Sequence, residues 1–340
     1  MSSLKVPLLP KQSGEFISKL AKNVSIQSNG VVALAKEIVG RLKDNSLSVQ
    51  NFSQHELHPQ VADRAAVDWI FTVDTLNFSF WAEGDGSRKW EVEFNGKKHT
   101  GYFALCAAVN RALQEGVPVT RAEFCASVGR QALGQVLRSA SGVEAPLLGE
   151  RALCLNEAGR VLLDKHQGSF VNCIKKAENS AQRLLKIIVE DFPSYRDEAE
   201  YEGCRVSFYK RAQILIGDIW ACFEGKGFGY FADIDTITMF ADYRVPQSLV
   251  HFGVLRYSDE LMAKLKSGVP LESGGRDEVE IRGCSIRAVE LVRRRALELE
   301  PGLESRLNCV LVDHFLWDFR REHAARLEAV PFHRTRCVYY

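Results

Sequence analysis

Trp90-Glu-Val-Glu-Phe-Asn-Gly-Lys-Lys-His-Thr-Gly-Tyr102 is the stretch on which the fold class turns. Residues 90–94 alternate apolar and polar side chains, the period of a half-buried strand. Asn95-Gly96 follows, and both residue types tolerate the positive φ that a two-residue hairpin turn imposes on its central positions. Residues 97–102 supply the returning arm. The spacing therefore predicts an antiparallel hairpin, and Leu76, Phe78, Phe80 and Trp81 just upstream predict a third strand beside it.

Outside this sheet the apolar residues recur at helical spacing. In 28–42 they are Val31, Val32, Leu34, Ala35, Ile38, Val39 and Leu42. Further helices are expected over 146–165, stopped near Gly168; over 169–191, ended by Pro193; and over 206–223, ended by Gly225. Ser285 is expected to cap a helix reaching about Leu299, and a last helix is expected over 307–327. Thr120-x-x-Glu123 reads as a capping box for the helix that follows it. No βαβ alternation appears, which argues against a Rossmann-type sheet. There is no internal repeat, low-complexity tract or long Gly/Pro/Ser linker. The reading is a mainly α protein with a small antiparallel β-sheet, one domain over 1–340 with the hairpin inserted at about 75–102.

The chain has 340 residues with 44 Lys plus Arg against 43 Asp plus Glu, a net charge of +1. That balance disfavours a basic protein gripping nucleic acid through many phosphates. A 46% hydrophobic content gives ample apolar surface for a core and disfavours disorder. No segment approaches the roughly 20 apolar residues of a membrane span, and residues 1–16 lack the apolar stretch of a signal peptide. Nine dispersed cysteines without a CxxC pair read as reduced thiols of an intracellular protein. Cys106, Cys173 and Cys222 fall inside apolar helical patterns and are expected in the core. A monomeric, cytoplasmic protein is expected.

Several groups carry possible chemistry. His55-Glu-Leu-His58 has the wrong spacing for a zincin, and Pro59 follows it; a loop histidine bonding ligand or backbone is the reading. Gly225-Lys-Gly-Phe-Gly229 follows a helix rather than a strand, so a helix end is favoured over a phosphate loop. In Thr238-Met-Phe-Ala-Asp-Tyr-Arg-Val-Pro-Gln247, Pro246 suits the first turn of a helix over 245–255, which puts Asp242 at its start. Asp242 reads either as a capping residue or surface partner of Arg244, or as a carboxylate held between Phe240 and Tyr243 in a partly apolar pocket. Asp313 falls within an apolar helical run and shares a face with Trp317; His314 shares one with Asp318. A carboxylate at Asp313 needs a partner if buried; the alternative is a solvated stripe with an Asp318–Arg321 pair. Lys210 and Arg211 begin an apolar helix, either as a solvated first turn or as holders of a phosphate.

Eight blocks together resemble the queuosine salvage family, the queuosine 5′-phosphate N-glycosylase/hydrolases. They are Asp74-Thr-Leu-Asn-Phe-Ser-Phe-Trp-Ala82, Leu105-Cys-Ala-Ala-Val-Asn-Arg-Ala112, Phe192-Pro-Ser-Tyr-Arg-Asp197 and Val206-Ser-Phe-Tyr-Lys-Arg-Ala-Gln213, then 238–247, Val279-Glu-Ile-Arg-Gly-Cys284, 313–318 and Pro331-Phe-His-Arg. They span almost the whole chain in order. The N-terminus, 139–145 and 268–276 look least constrained.

The resemblance implies a helical fold similar to helix-hairpin-helix DNA glycosylases. It implies hydrolysis of queuosine 5′-monophosphate to queuine and ribose 5-phosphate, with no metal, no other cofactor and no stable nucleic-acid complex. Asp242 takes the catalytic position by matching motif. Phe240 matches the pocket aromatic, and His55, Asp313, Trp317 and Asp318 match the base pocket, with Tyr243 beside them. Cleaving a ribosyl C1′–N bond passes through an oxocarbenium-like state, and the roles open to Asp242 are to stabilise that cation more than the neutral sugar, to attack it as a nucleophile, or to position the water. A 7-deazaguanine lacks the N7 that many purine hydrolases protonate, so its activation must come through other atoms of the base. The 5′-phosphate needs cations, and Lys210 and Arg211 are the candidates.

Overall fold

The computed structural model describes residues 6–84 and 88–340. It is mainly helical, with three two-stranded antiparallel pairings among the described residues. The chain falls into two compact units, each assembled from separated segments.

The first unit takes the described residues up to Val49, then Arg196–Gln213 and Asp233–Arg336. Its spine is the helix Arg276–Leu299, whose Val279, Ile286, Val289, Val292 and Ala296 are fully buried. Each buried valine or isoleucine among them contributes about 1.5–3 kcal/mol by leaving water. Helices Pro10–Leu20 and Ser28–Lys43 pack on this spine, the first of them in close contact. A Cβ on Gly283 would stand 2.5 Å from Ile17 Cδ1, and one on Gly14 would stand 2.8 Å from Ile286 Cγ2. Strand Val24–Ile26 pairs with Leu255–Tyr257, Val24 opposite Tyr257. A hairpin joins Glu198–Tyr201 to Cys204–Ser207. Helices Val245–His251 and Cys309–Glu322 pack together and carry most of the candidate residues.

The second unit takes Gln50–Tyr195, Ile214–Ala232 and Cys337–Tyr340. It contains the helices Arg64–Thr75, Gly101–Gln114 and Leu148–His166, with Ala122–Ser127 packed on the last. The predicted hairpin is there: Glu91–Phe94 pairs with Lys97–Thr100, and Asn95 and Gly96 take φ of 48° and 72°. Of the 75–102 insertion, 85–87 lie outside the described residues.

The expected third strand is not formed. The carbonyls of Leu76, Phe78 and Ser79 instead accept from the buried guanidinium of Arg151. Its cation also faces the Phe78 and Phe80 rings at 4.4 and 5.0 Å. These carbonyls are satisfied by a side chain, so no ladder is needed.

Helix boundaries also differ from the sequence reading. The 169–191 helix is two, Val171–Lys176 and Ala181–Asp191, because Glu178 and Asn179 turn left-handed and Ser180 caps the second. The helix after Thr120 starts at Ala122, so Arg121 is its cap and the Thr120–Glu123 box does not form. Ser285 lies mid-helix, its hydroxyl donating to Ile281 O at 2.7 Å. The 206–223 helix starts only at Lys210, since 204–207 form a strand. The 307–327 helix breaks after Glu322, and the 245–255 helix ends at His251.

Candidate active site

Residues 238–244 run without regular structure until helix Val245–His251 begins with Pro246 in its first turn. Asp242 stands just before that turn. Its Oδ1 accepts the backbone N–H groups of Arg244 and Val245, both at 2.8 Å. The capping reading and the pocket reading therefore hold together: one oxygen fixes the carboxylate. Oδ2 has no hydrogen-bond partner among the described residues. Asp242 is 9% exposed, and burial pushes its carboxyl pKa upward against the opposing pull of Lys210, the two N–H bonds and Arg244.

The loop is held from three sides. Asp313, buried on helix Cys309–Glu322, accepts Phe240 N at Oδ2, 3.0 Å away. The buried Asp313 thus has its partner in the loop backbone, not in a solvated stripe. Gln213 clasps Thr238: its Nε2 donates to Thr238 Oγ1 at 2.8 Å and its Oε1 accepts Thr238 N at 3.0 Å. Arg282, on the spine helix, donates from Nε to Ala241 O at 2.9 Å. Its other nitrogens grip Asp197 in a two-pronged pair, and Nη1 also reaches Glu278 Oε1 at 3.1 Å. Asp197 Oδ2 in turn accepts Lys210 N at 3.0 Å. One buried ion pair thereby locates both the Asp242 loop and the start of the Lys210 helix.

Asp197 and Arg282 were not singled out from the sequence, although both lie in blocks that carry the resemblance. They are 85 residues apart, and only burial distinguishes them from surface charges.

Lys210 and Arg211 are 5% and 1% exposed, so the solvated-first-turn reading does not hold. Tyr209 before them adopts a φ of 48°, a left-handed conformation that costs about 1 kcal/mol or more for a bulky residue. Its hydroxyl donates to Glu198 Oε1 at 2.8 Å.

Phe240 faces His314, ring centroids 6.1 Å apart. Burial pushes the His314 imidazole down to about 4, with Asp318 opposing. Burial likewise pushes the Asp318 carboxyl up, against His314 and Arg321. Asp318 lies 3.8 Å from Arg321, whose guanidinium stands 4.9 Å from the Trp317 ring centre. Tyr243 and Phe332 rings are 5.4 Å apart.

His55 belongs to the second unit, apart in sequence from the other candidates. Its ring stacks on Phe103 at 3.8 Å, and its Nδ1 accepts Leu57 N at 3.2 Å. His58 bonds Phe52 O at 2.7 Å and Tyr102 Oη at 3.1 Å. The two histidines are loop residues bonded to protein, as read. Among the described residues no group of three or more His, Cys, Asp or Glu is placed to hold a metal ion. Gly225 and Gly227 turn left-handed after helix Lys210–Cys222, which makes that segment a helix end. Cys106, Cys173 and Cys222 are buried free thiols, and burial pushes each thiol's pKa up. No helix among the described residues is long and apolar enough to cross a membrane.

The family model described as "Queuosine salvage protein" matches residues 57–340. The queuosine 5′-phosphate N-glycosylase/hydrolase of Mus musculus is 52% identical over 338 residues, covering 98% of this chain and 99% of the mouse protein. The protein of the same name from Schizosaccharomyces pombe is 39% identical over 347 residues, 97% and 99% of the two chains. That from Sphaerobacter thermophilus is 41% identical over 287 residues, 84% of each. A match that runs from residue 57 to the last residue, with relatives alike over nearly their whole length, leaves one conclusion: the chain belongs to the queuosine salvage protein family.

Proposed function

We propose that this protein hydrolyses the N-glycosidic bond of queuosine 5′-monophosphate, releasing queuine and ribose 5-phosphate for salvage into tRNA modification. The observation that carries the reaction is its likeness, over nearly full length, to curated proteins named for that activity. The observation that carries the site is Asp242, anchored through Oδ1 with Oδ2 unengaged.

A carboxylate fixed in this way needs no reorganisation when charge develops on the sugar. As the C1′–N bond breaks, positive charge spreads over C1′ and the ring oxygen, and Oδ2 is the atom that meets it. Removing such a group costs on the order of 10²–10³ in rate, about 3–4 kcal/mol. Phe240 and Trp317 offer faces on which a flat base can stack. Asp313 and Asp318 are acceptors suited to the N–H donors of a guanine-type edge, with Tyr243 beside the loop. Lys210 opposes the upward push of burial on the Asp242 carboxyl, with Arg211 next to it on the helix.

A helix-hairpin-helix glycosylase relationship is part of the same reading, supported by the helical body and near-neutral charge. So are a monomeric, cytoplasmic state and a single functional domain, the last supported by a family match that runs across both units.

The test is direct. Purified protein incubated with queuosine 5′-monophosphate should release queuine, detected by mass spectrometry. Folded protein that releases none sinks the proposal.

A further inference from the structure

Two guanidinium groups share one neutral acceptor near Asp242. Arg244 Nη1 donates to Gln247 Oε1 at 3.0 Å, and Arg320 Nε donates to the same oxygen at 3.3 Å. Gln247 cannot turn away: it is 2% exposed, and its Nε2 donates to Val330 O at 2.6 Å. The Arg244 cation also lies over the Phe332 ring at 4.1 Å and near Tyr243 at 5.2 Å. Both arginines are half-buried.

Neither cation has a carboxylate within 4.0 Å among the described residues. Asp242 and Glu328 act on Arg320 only at longer range. Burial and Arg244 together push Arg320 down to about 10. Two like charges held side by side away from bulk water are costly unless an anion joins them. Arginine forks match the oxygens of a phosphate, and a charge-assisted bond of this kind is about twice as strong as a neutral one.

We infer that Arg244 and Arg320 seat a phosphate monoester, the 5′-phosphate of the substrate, beside Asp242. The inference rests on the proposed reaction and shifts the phosphate from the pair expected on sequence, Lys210 and Arg211. Lys210 is left to act on Asp242, and Arg211 is buried.

Calorimetry with ribose 5-phosphate, and separately with queuine, tests the assignment. Arg320→Gln and Arg244→Gln should each weaken ribose 5-phosphate binding by roughly 10–100-fold, the range for a lost bond to a charged group. Queuine, which carries no phosphate, should change less than about threefold on the same grounds. Arg320→Lys keeps the charge without the fork and should fall between wild type and Arg320→Gln. Wild-type affinity for ribose 5-phosphate in both Gln variants overturns the inference, as does a loss confined to Lys210→Gln. So does an absence of ribose 5-phosphate binding to the wild type. Binding that depends on the arginines in a protein that releases no queuine upholds the anion seat and rejects the reaction instead.

Discussion

Arg282 and Asp197 meet as a buried two-pronged ion pair, Nη1 to Oδ1 at 2.9 Å and Nη2 to Oδ2 at 2.6 Å. The same guanidinium holds Ala241 O, one residue before Asp242. Asp197→Asn removes one of the two charges of this buried pair, with Glu278 still beside the cation. Breaking a buried pair from one side costs about 3–5 kcal/mol. Urea unfolding should show a loss of this size, and kcat should fall more than KM rises, because the loop that carries Asp242 loosens. A stability change under about 1 kcal/mol would remove the pair from this role.

Asp242→Asn should fold normally. The amide oxygen can still accept Arg244 N and Val245 N, so the cap survives. Turnover should nevertheless drop on the order of 10²–10³. Retention of more than about a tenth of wild-type rate would contradict a charge-stabilising role.

The pH profile follows from the raised Asp242 pKa. Its ionised form is the active one, so activity is lost as pH falls through that pKa. The acid limb of kcat/KM should therefore lie above the ordinary aspartate value of about 4. A limb at or below that value would place the ionisation elsewhere.

His314 makes stability pH-dependent. It titrates at about 4 in the fold and at about 6.5 when unfolded. Between those values only the unfolded chain takes the proton, so stability falls as pH falls, by up to about 1.4 kcal/mol per pH unit. His314→Leu should flatten the decline in denaturation midpoint between pH 6.5 and 4.5, relative to wild type. Carboxyls with raised pKa values act in the opposite sense but are common to both proteins. Parallel curves would refute the assignment.

Gly283→Ala inserts a methyl 2.5 Å from Ile17 Cδ1. Overpacking of this kind costs about 1–3 kcal/mol. Thermal unfolding should show it, and Ile17→Ala in the same chain should recover part of the loss if the clash is the cause.

What the sequence disclosed follows the range of the interactions. Asn95-Gly96 announced a hairpin because its two backbone conformations are local demands. Asp242 stood out because Pro246 marks a helix start four residues on. Leu76 to Trp81 misled because the partner that satisfies those carbonyls, Arg151, is far away in sequence. Residues 276–284 gave no hint of a buried spine. Glu278, Glu280 and Arg282 are charged, and only remote partners such as Asp197 and Tyr201 make their burial tolerable. Helix Pro10–Leu20 was missed for a similar reason, since its packing depends on a glycine over 260 residues away. Lys210 and Arg211 looked like surface charges until tertiary structure buried them.

The interleaving of the two units bears on synthesis. The chain passes between them at residues 49–50, 195–196, 213–214, 232–233 and 336–337. Ser79 N donates to Tyr340 O at 2.9 Å, and Ser79 Oγ donates to Cys337 O at 2.9 Å. The second unit therefore waits for residues made after all of the first. Likewise, the spine that Pro10–Leu20 packs against emerges from the ribosome late. No continuous fragment contains the whole of one unit without much of the other. A premature stop late in translation would thus strand nearly all the protein without a completed fold, a burden that falls on chaperones rather than on catalysis.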